Sequence, residues 1–225
     1  MTTAESLAQP VTPVVEDYLK NIYLMRRAGE SVKTVLLAER MNVKPSSVTA
    51  MVKALAEMGL VEHEPYYGVH LTPNGERIAL EVIRHHRLIE LYLVEALGFT
   101  WDEVHEEAEV LEHVISEKLE ARIAAHLGNP VRDPHGDPIP TLDGALPADP
   151  THTLADLPLK TRGRVGRVCD QHTERLRYLA GLGLVPGARV QVVAREPFDG
   201  PVTVQLGKQS HALDHQLARK ILIEK

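Results

Sequence analysis

The chain has little of several features that mark particular classes of protein. Its 225 residues include a single cysteine, Cys169, which excludes a disulfide framework and a thiolate-rich metal cluster. One tryptophan and two phenylalanines leave the packing of the core mainly to aliphatic side chains. No apolar run approaches the length of a bilayer span, and the N-terminus has neither the basic start nor the apolar centre of a signal peptide. These absences predict a cytoplasmic protein in a reducing compartment, with no membrane association.

The balance of charge is acidic, with a formal net charge of −6. An acidic chain at first argues against nucleic-acid binding, because DNA-binding proteins neutralise phosphates. The electrostatic footprint of a DNA-binding surface is local, however, so the overall charge does not exclude that function. The acidic residues concentrate between Glu103 and Glu120, and four histidines lie between residues 85 and 113. This segment is therefore a candidate for metal chemistry.

The N-terminal third has the order of a winged helix-turn-helix. Residues 14–27 have a helical apolar rhythm, and residues 32–41 form a second short helix. A third helix begins at Pro45, whose ring fits the first helical turn, and ends at Gly59. Residues 60–72 have strand character on either side of a turn. Three helices followed by a two-stranded wing predict a DNA-binding domain.

The middle of the chain predicts a helical dimerisation domain. Residues 76–97 form one amphipathic helix, and residues 101–127 form another after a short break. Two such helices joined tightly make a hairpin whose outer apolar face needs a partner, and a dimer interface is the usual solution.

The C-terminal part changes character. Residues 128–152 are rich in Pro, Gly and Asp and predict a connection that begins as ordered turns, whereas residues 153–225 contain short Val-rich strands between Gly/Pro turns, typical of an SH3-like β-barrel. The fold class is thus mainly α with a small β domain. The predicted segments are a winged helix-turn-helix domain (1–75), a helical metal-binding and dimerisation domain (76–141), a linker (142–152) and an SH3-like domain (153–225).

Histidines and carboxylates share helix faces in the middle domain. One stripe follows positions i, i+4, i+7 and i+8 of the helix at 101–127: His105, Glu109, Glu112 and His113. A second stripe on the preceding helix contains His86 and Glu90. Facing helices with such stripes can hold a metal ion between them. A set of carboxylates and imidazoles without thiolate suits Mn²⁺ or Fe²⁺ and tolerates Zn²⁺, Co²⁺ or Cd²⁺.

Three alternatives to a metal-sensing site remain open at this point. The stripes are also compatible with the solvated face of an acidic helix. A metallohydrolase is the third possibility, but the zinc motif His-Glu-x-x-His is absent, because Glu109 stands where the second His would be. The inverted motif His-x-x-Glu-His is not met either, since Glu109 also replaces its first His. A metal-storage or interaction module built on the C-terminal domain is a further alternative.

Six stretches resemble the diphtheria toxin repressor family, in particular its manganese transport regulator branch. They are VEDYLKNIY (15–23), PSSVTAMV (45–52), GLVEHEPYYGVHLTPNGERIA (59–79), HHRLIELYL (85–93), EEAEVLEHVIS (106–116) and GNPVRDPHGDPIP (128–140). Residues 153–225 resemble more loosely the FeoA-type, SH3-like domain of the same family. The resemblance implies a homodimeric, metal-dependent repressor of metal-uptake genes rather than an enzyme.

The resemblance also implies a set of metal ligands. Asp17 matches an N-terminal ligand that is commonly Met in iron-responsive members, and Glu109 falls where those members often have Cys. Both residues favour Mn²⁺, with Fe²⁺ as the alternative. The remaining matches divide between the core ligands Glu112 and His113 and an ancillary set of His86, Glu90 and His105.

One position departs from the manganese branch. Lys20 stands where some manganese regulators have a Glu that binds a second ion, and a protonated Lys cannot ligate a metal. The departure favours a primary site plus an ancillary site. A further ligand from the C-terminal domain is conceivable, with Asp170, Gln171 and His172 as weak candidates.

The third helix is expected to enter the major groove of double-stranded DNA. The candidate contacts to phosphates and bases are Lys44, Pro45, Ser46, Ser47, Thr49, Ala50 and Lys53, with Tyr66 and Tyr67 at the tip of the wing. Because the helix carries no Arg, direct reading of guanine is expected to be weak and DNA shape to contribute. A two-fold dimer predicts an inverted-repeat operator.

Overall fold

A computed structural model of the chain describes residues 11–64 and 68–224. The chain forms two compact units, Met1–Arg84 with Leu142–Gly144, and His85–Thr141 with Ala145–Lys225. Within the described ranges, no helix combines the length and the apolar character needed to cross a membrane.

The first unit is a winged helix-turn-helix. Its elements are α1 (Pro13–Arg27), α2 (Thr34–Arg40), α3 (Pro45–Glu57), β1 (Val61–Glu64) and β2 (Gly68–Leu71), followed by α4 (Pro73–Leu97), which carries the chain into the second unit. β1 and β2 pair in antiparallel fashion. The predicted order of three helices and a two-stranded wing is confirmed.

Local signals fix where these helices begin and end. The Thr12 hydroxyl accepts a hydrogen bond from the Val15 amide and caps α1, with Pro13 in the first turn. Pro45 begins α3, and Gly59 follows its end with a φ of +70°. Pro45 and Gly59 are the residues from which the sequence predicted the bounds of α3, whereas the cap of α1 was not predicted.

The wing packs closely on the beginning of α4. A Cβ atom at Gly75 would lie 2.1 Å from the Leu60 carbonyl oxygen, so only glycine allows this approach. The core of the unit is formed by aliphatic side chains from all three helices and the wing, among them Leu19, Ile22, Leu37, Val48 and Leu55. Aliphatic packing is what the scarcity of aromatic residues predicted.

The helical part of the second unit differs from its prediction in one respect. The single helix predicted at 101–127 is two helices, α5 (Val104–Leu111) and α6 (Glu117–His126). The Ser116 hydroxyl accepts a hydrogen bond from the Leu119 amide and so starts a new helix, immediately after the β-branched residues Val114 and Ile115. The break places Glu112 and His113 in the turn after α5 rather than inside a helix.

The segment at 131–139 is a packed loop, although the sequence predicted only turns leading into a linker. The Asp133 carboxylate accepts hydrogen bonds from the His135 and Asp137 amides, at 2.8 and 2.9 Å. Ile139 is buried, and its amide bonds to the Val131 carbonyl. The side chain of Asp133 therefore organises the loop from inside.

The C-terminal part contains a six-stranded antiparallel sheet. Its elements are β3 (His152–Thr153), β4 (Arg162–Val168), α7 (Thr173–Leu182), β5 (Arg189–Arg195), β6 (Val202–Leu206), β7 (Gln209–Leu213), α8 (His215–Arg219) and β8 (Ile221–Glu224). The strand order is β3-β8-β4-β5-β6-β7. Among the described residues β3 and β7 do not pair, so the sheet is open. An SH3-like β domain was predicted and is confirmed, but as an open sheet rather than a closed barrel.

The loop at 131–139 packs against β4. The register between β4 and β8 shifts between Val165 and Arg167, and the Val168 amide donates to the His135 carbonyl at 2.8 Å. Gly136 has a φ of +84°, and a Cβ atom there would lie 2.1 Å from the Gly166 carbonyl oxygen. The sheet thus supports the loop backbone to backbone.

Candidate metal centre and nucleic-acid interface

The outer face of α3 carries the residues predicted to contact DNA. Val48, Val52 and Leu55 are buried on its inner face. The exposed positions are Lys44, Pro45, Ser46, Ser47, Thr49, Ala50 and Lys53. The Thr49 hydroxyl donates to the Pro45 carbonyl at 3.0 Å. Tyr66 and Tyr67 lie outside the described residues, and the DNA contacts as a set stay predictions.

Imidazoles and carboxylates of α4 and α5 form one connected cluster. His86 Nε2 lies 3.0 Å from Glu90 Oε1, one turn further along α4. His86 Nδ1 contacts Glu112 Oε2 in the turn after α5. His105 Nδ1 lies 3.4 Å from the same oxygen of Glu90. The i, i+4 spacing on α4 therefore aims two side chains at a partner helix, as the stripes predicted.

Glu109 joins this cluster from α5. Its Oε1 lies 3.7 Å from His105 Nε2 and 3.9 Å from His86 Nδ1. Donor atoms of His86, His105 and Glu109 lie within 4.8 Å of one another, close enough to share one ion. Glu109, which the sequence analysis left outside the ancillary set, thus lies beside two of its members.

The remaining predicted ligands are distributed as follows. His113 Nε2 lies 3.4 Å from Glu112 Oε1, and the Glu112 side chain is buried. Asp17 and Lys20 lie on α1 of the first unit, so the assignment of Asp17 as a ligand stays a prediction. Asp170 pairs with Arg175 and accepts a hydrogen bond from the His172 amide at the start of α7.

A second cluster lies deeper in the unit, where Glu90 of α4 meets the loop at 131–139. Donor atoms of Glu90, Asp133 and His135 lie within 4.8 Å of one another, and all three residues are buried. Glu90 Oε2 lies 3.5 Å from His135 Nδ1, and Asp133 Oδ2 lies 3.8 Å from Arg87 Nε, but none of the three atoms makes a hydrogen bond. Buried polar atoms that make no hydrogen bond are costly unless a ligand satisfies them.

Sequence analysis missed Asp133 and His135. The Asp-x-His spacing was visible in the stretch GNPVRDPHGDPIP, which contributed to the resemblance. Because the segment has no helical or strand periodicity, it was interpreted as a connection. Only the tertiary structure brings it against Glu90.

Neighbouring carboxylates dominate the electrostatics of the deeper cluster. Burial raises the pKa of Asp133 well above its usual value, and the carboxylates of Asp137 and Glu90 raise it further. Burial alone would lower the pKa of His135, but the carboxylates of Glu90 and Asp133 raise it to about 9. The pKa of Glu90 is well below its usual value because the surrounding imidazoles outweigh the effect of burial. The cluster therefore attracts positive charge.

These residues fit a divalent metal ion. The donors are carboxylate oxygens and imidazole nitrogens with no thiolate, which is the set that Mn²⁺ and Fe²⁺ accept. A cation held by Glu90, Asp133 and His135 would also satisfy buried donor atoms of these residues that make no hydrogen bond. Glu90 belongs to both clusters, with Oε1 in the first and Oε2 in the second.

Neighbouring side chains hold the deeper cluster in place. Arg87 donates to the Pro138 carbonyl and, at 3.3 Å, to Asp137 Oδ1. Arg167 of β4 forms an ion pair with the same carboxylate. Asp137 is therefore neutralised by two arginines. Trp101 stacks on His135 with ring centroids 5.6 Å apart, and its carbonyl accepts from His135 Nε2 at 2.7 Å.

Comparisons with known proteins decide the family. The model of the iron-dependent repressor N-terminal DNA-binding domain matches residues 11–69, that of the metal-binding and dimerisation domain matches 72–141, and that of the FeoA domain matches 152–225. The iron-dependent repressor IdeR of Mycobacterium tuberculosis is 34% identical over 222 residues, covering 93% of this chain and 96% of its own. The diphtheria toxin repressor of Corynebacterium diphtheriae is 30% identical, with the same coverage. The chain belongs to the iron-dependent repressor family.

Solved structures agree with this membership. A manganese-dependent transcriptional repressor in complex with manganese superposes with a TM-score of 0.86 at 42% identity, covering 93% of this chain and 98% of that one. ScaR with bound Cd²⁺ superposes with a TM-score of 0.81 at 33% identity, covering 94% and 99%. As a member of the iron-dependent repressor family, the chain is a metal-dependent transcriptional repressor, and the predicted function is confirmed at that level.

Proposed function

We propose that this repressor responds to Mn²⁺ and, with Mn²⁺ bound, represses metal-uptake genes. The observation that carries the proposal is the thiolate-free donor set around Glu90, with three buried donor atoms that make no hydrogen bond. Asp17 and Glu109, which stand where iron-responsive members commonly have Met and Cys, support manganese over iron. Fe²⁺ is the alternative effector, because the same hard donors accept it.

We propose two groups of ligands. The first is the predicted set of Asp17, His86, His105, Glu109, Glu112 and His113. The second contains Glu90, Asp133 and His135, with Glu90 positioned to serve either group. Zn²⁺, Co²⁺ or Cd²⁺ is expected to substitute in vitro, since raw affinity favours later metals at such sites. Selectivity for Mn²⁺ would therefore depend on geometry and on supply.

The bound cation supplies positive charge to carboxylates that otherwise crowd one another. Glu109, Glu112 and Glu90 orient their oxygens toward shared imidazoles, which fixes α4, α5 and the turn after α5 together. Asp133 and His135, which cluster with Glu90, would likewise fix the loop at 131–139 to α4. Asp17 would tie the DNA-binding domain to this arrangement, so that metal binding and DNA binding favour the same state of the protein.

We propose a homodimer that binds an inverted-repeat operator through α3. The exposed apolar side chains Val110, Val114 and Leu119, on or beside α5 and α6, support an interface between two copies. The domain organisation we propose is that predicted from the sequence: 1–75, 76–141, a linker at 142–152, and 153–225. We also propose that the protein acts in the cytoplasm, and we assign it no catalytic activity.

The test is binding of the chelator-stripped protein to the DNA upstream of its own gene, titrated with Mn²⁺, Fe²⁺ or Zn²⁺. We expect Mn²⁺ to switch on binding in the parent protein. The Glu112→Ala/His113→Ala variant should not respond, because it loses two proposed ligands. Glu106→Ala removes an exposed carboxylate of α5 that is not a proposed ligand, and it should respond like the parent.

Three results would contradict the proposal. DNA affinity that ignores all three metals, with folding verified by circular dichroism, would dispose of the metal switch. A response to Fe²⁺ at concentrations where Mn²⁺ has no effect would replace manganese by iron. Metal-dependent hydrolysis of peptide or ester substrates by the parent, lost in the double variant, would revive the metallohydrolase alternative.

A further inference from the structure

The outward face of the C-terminal sheet carries three arginines that the metal centre does not use. Arg162 and Arg164 are alternate residues of β4, so their side chains leave the same face of the sheet. Arg189 of β5 pairs directly with Arg164. Side chains directly opposite have Cβ atoms about 5 Å apart, and alternate residues of one strand lie roughly 7 Å apart. The three guanidinium groups therefore start from a compact triangle.

These arginines line a groove of about 680 Å³ on the sheet. Gln191 of β5 and Gln205 of β6 continue its floor. The amide nitrogens of both glutamines already donate to backbone carbonyls, of Lys160 at 2.8 Å and of Gly207 at 3.2 Å. Each glutamine thus keeps one free N–H, and the charged donors of the groove are the three guanidinium groups, all exposed to solvent.

The arrangement places like charges next to one another. Like charges directly opposite in a sheet repel each other, as Arg164 and Arg189 do. Within residues 11–64 and 68–224, no carboxylate forms an ion pair with any of the three arginines. Glu224 lines the groove and stands opposite Arg164 in the register of β4 and β8. Its carboxylate forms an ion pair with Arg132 instead, with Oε1 4.0 Å from Arg132 Nε.

Other arginines of the same unit do form ion pairs. Arg167 pairs with Asp137 and Asp149, and Arg177 pairs with Asp102. In a chain with a net charge of −6, carboxylates to neutralise the groove are not in short supply. Three unpaired, adjacent guanidinium groups are the arrangement expected where an anion binds from outside.

The chemistry of the groove favours phosphate. The planar guanidinium fork matches the oxygens of a phosphate group in two parallel hydrogen bonds. No aromatic side chain is among the residues that line the groove, so it lacks the aromatic platform on which bases commonly stack. We propose that this groove binds phosphate groups through Arg162, Arg164 and Arg189. The phosphates belong either to a free phosphorylated molecule or to the DNA backbone.

The experiment uses the full-length, metal-free protein at low ionic strength, titrated with sodium tripolyphosphate in a calorimeter. Arg164→Gln/Arg189→Gln removes two of the three guanidinium groups from exposed positions. Arg219→Gln/Lys220→Gln removes the same charge from exposed positions at the end of α8, outside the groove. We expect tripolyphosphate binding in the parent and in the second variant, and at least tenfold weaker binding in the first.

Three outcomes would overturn the proposal: no binding by the parent, equal loss in both double variants, or binding of polyglutamate in place of tripolyphosphate. The melting temperature of each variant excludes unfolding as the cause of a loss. Metal-free protein keeps the result separate from the manganese proposal.

A second titration identifies the source of the phosphate. Affinity for a long mixed-sequence DNA duplex is measured with Mn²⁺ present at several salt concentrations. If the groove contacts the backbone, Arg164→Gln/Arg189→Gln lowers affinity and reduces the slope of log affinity against log salt by about 1.8, from two lost contacts. If the ligand is a free phosphorylated molecule, tripolyphosphate binding is lost while affinity for DNA and its salt dependence stay unchanged.

Discussion

The buried carboxylate of Asp133 disfavours the fold when no cation is near it. The pKa of this carboxyl is well above the value it has in the unfolded chain. Near neutral pH, ionisation of Asp133 therefore costs more free energy in the folded state than in the unfolded state. The cost is largest above the folded pKa and disappears as pH falls below the unfolded one. Both loop amides that bond to Asp133 Oδ1 could bond equally to the oxygen of an asparagine.

Asp133→Asn should therefore stabilise the metal-free protein by on the order of 1 kcal/mol near pH 7, because it removes the unfavourable charge. The same change should lower the number of Mn²⁺ ions bound per chain, as measured by equilibrium dialysis. Asp156→Asn, an exposed position, is the matched control and should alter neither quantity. Unchanged Mn²⁺ stoichiometry in Asp133→Asn would remove this residue from the ligand set.

Trp101 offers a direct view of the same site. It is the only tryptophan in the sequence, and its ring stacks on His135 at 5.6 Å. Paramagnetic Mn²⁺ held by His135 is expected to quench its fluorescence saturably. The His135→Gln variant should bind Mn²⁺ more weakly at this site, so that the same Mn²⁺ concentrations do not quench its Trp101 fluorescence. Equal quenching in that variant would mean that Mn²⁺ binds elsewhere.

At the scale of elements, the sequence allowed the helices and the wing to be predicted because their signals are local. Pro45 and Gly59 bracket α3 whatever surrounds it, and apolar spacing identifies α4. The break between α5 and α6 was missed because the amphipathic spacing continues across Ser116. The spacing does not reveal that the Ser116 hydroxyl accepts a hydrogen bond from the Leu119 amide and so begins a new helix. The packed loop at 131–139 was missed because its reason for order is tertiary, namely contacts with Glu90 and β4.

Gly136 tests how far β4 supports that loop. Gly136→Ala would place a Cβ atom 2.1 Å from the Gly166 carbonyl oxygen, and backbone atoms cannot yield cheaply. Gly187→Ala is the matched control, with a φ of +89° and nothing within 4 Å of the added atom. We expect Gly187→Ala to cost about 1 kcal/mol of unfolding free energy, from backbone strain alone.

Gly136→Ala should cost at least about 2 kcal/mol more than its control, because the loop must move away from the sheet. It should also weaken Mn²⁺ binding, since His135 moves with the loop. Urea denaturation measures the first effect and equilibrium dialysis the second. Equal costs for the two glycines would mean that the contact with β4 does not constrain the loop.

At the scale of the whole molecule, a repressor switched by a metal must obey linkage. If Mn²⁺ raises the affinity for DNA by some factor, DNA raises the affinity for Mn²⁺ by the same factor. We expect a factor between about 5 and 150, the range of ordinary coupling free energies. Competition with a fluorescent chelator, with and without saturating operator DNA, measures this factor.

Glu106→Ala should keep the parent's factor, and Glu112→Ala/His113→Ala should reduce it to one. A factor of one in the parent would separate metal binding from DNA binding, leaving the clusters around Glu90 as structural sites that stabilise the fold without regulating it.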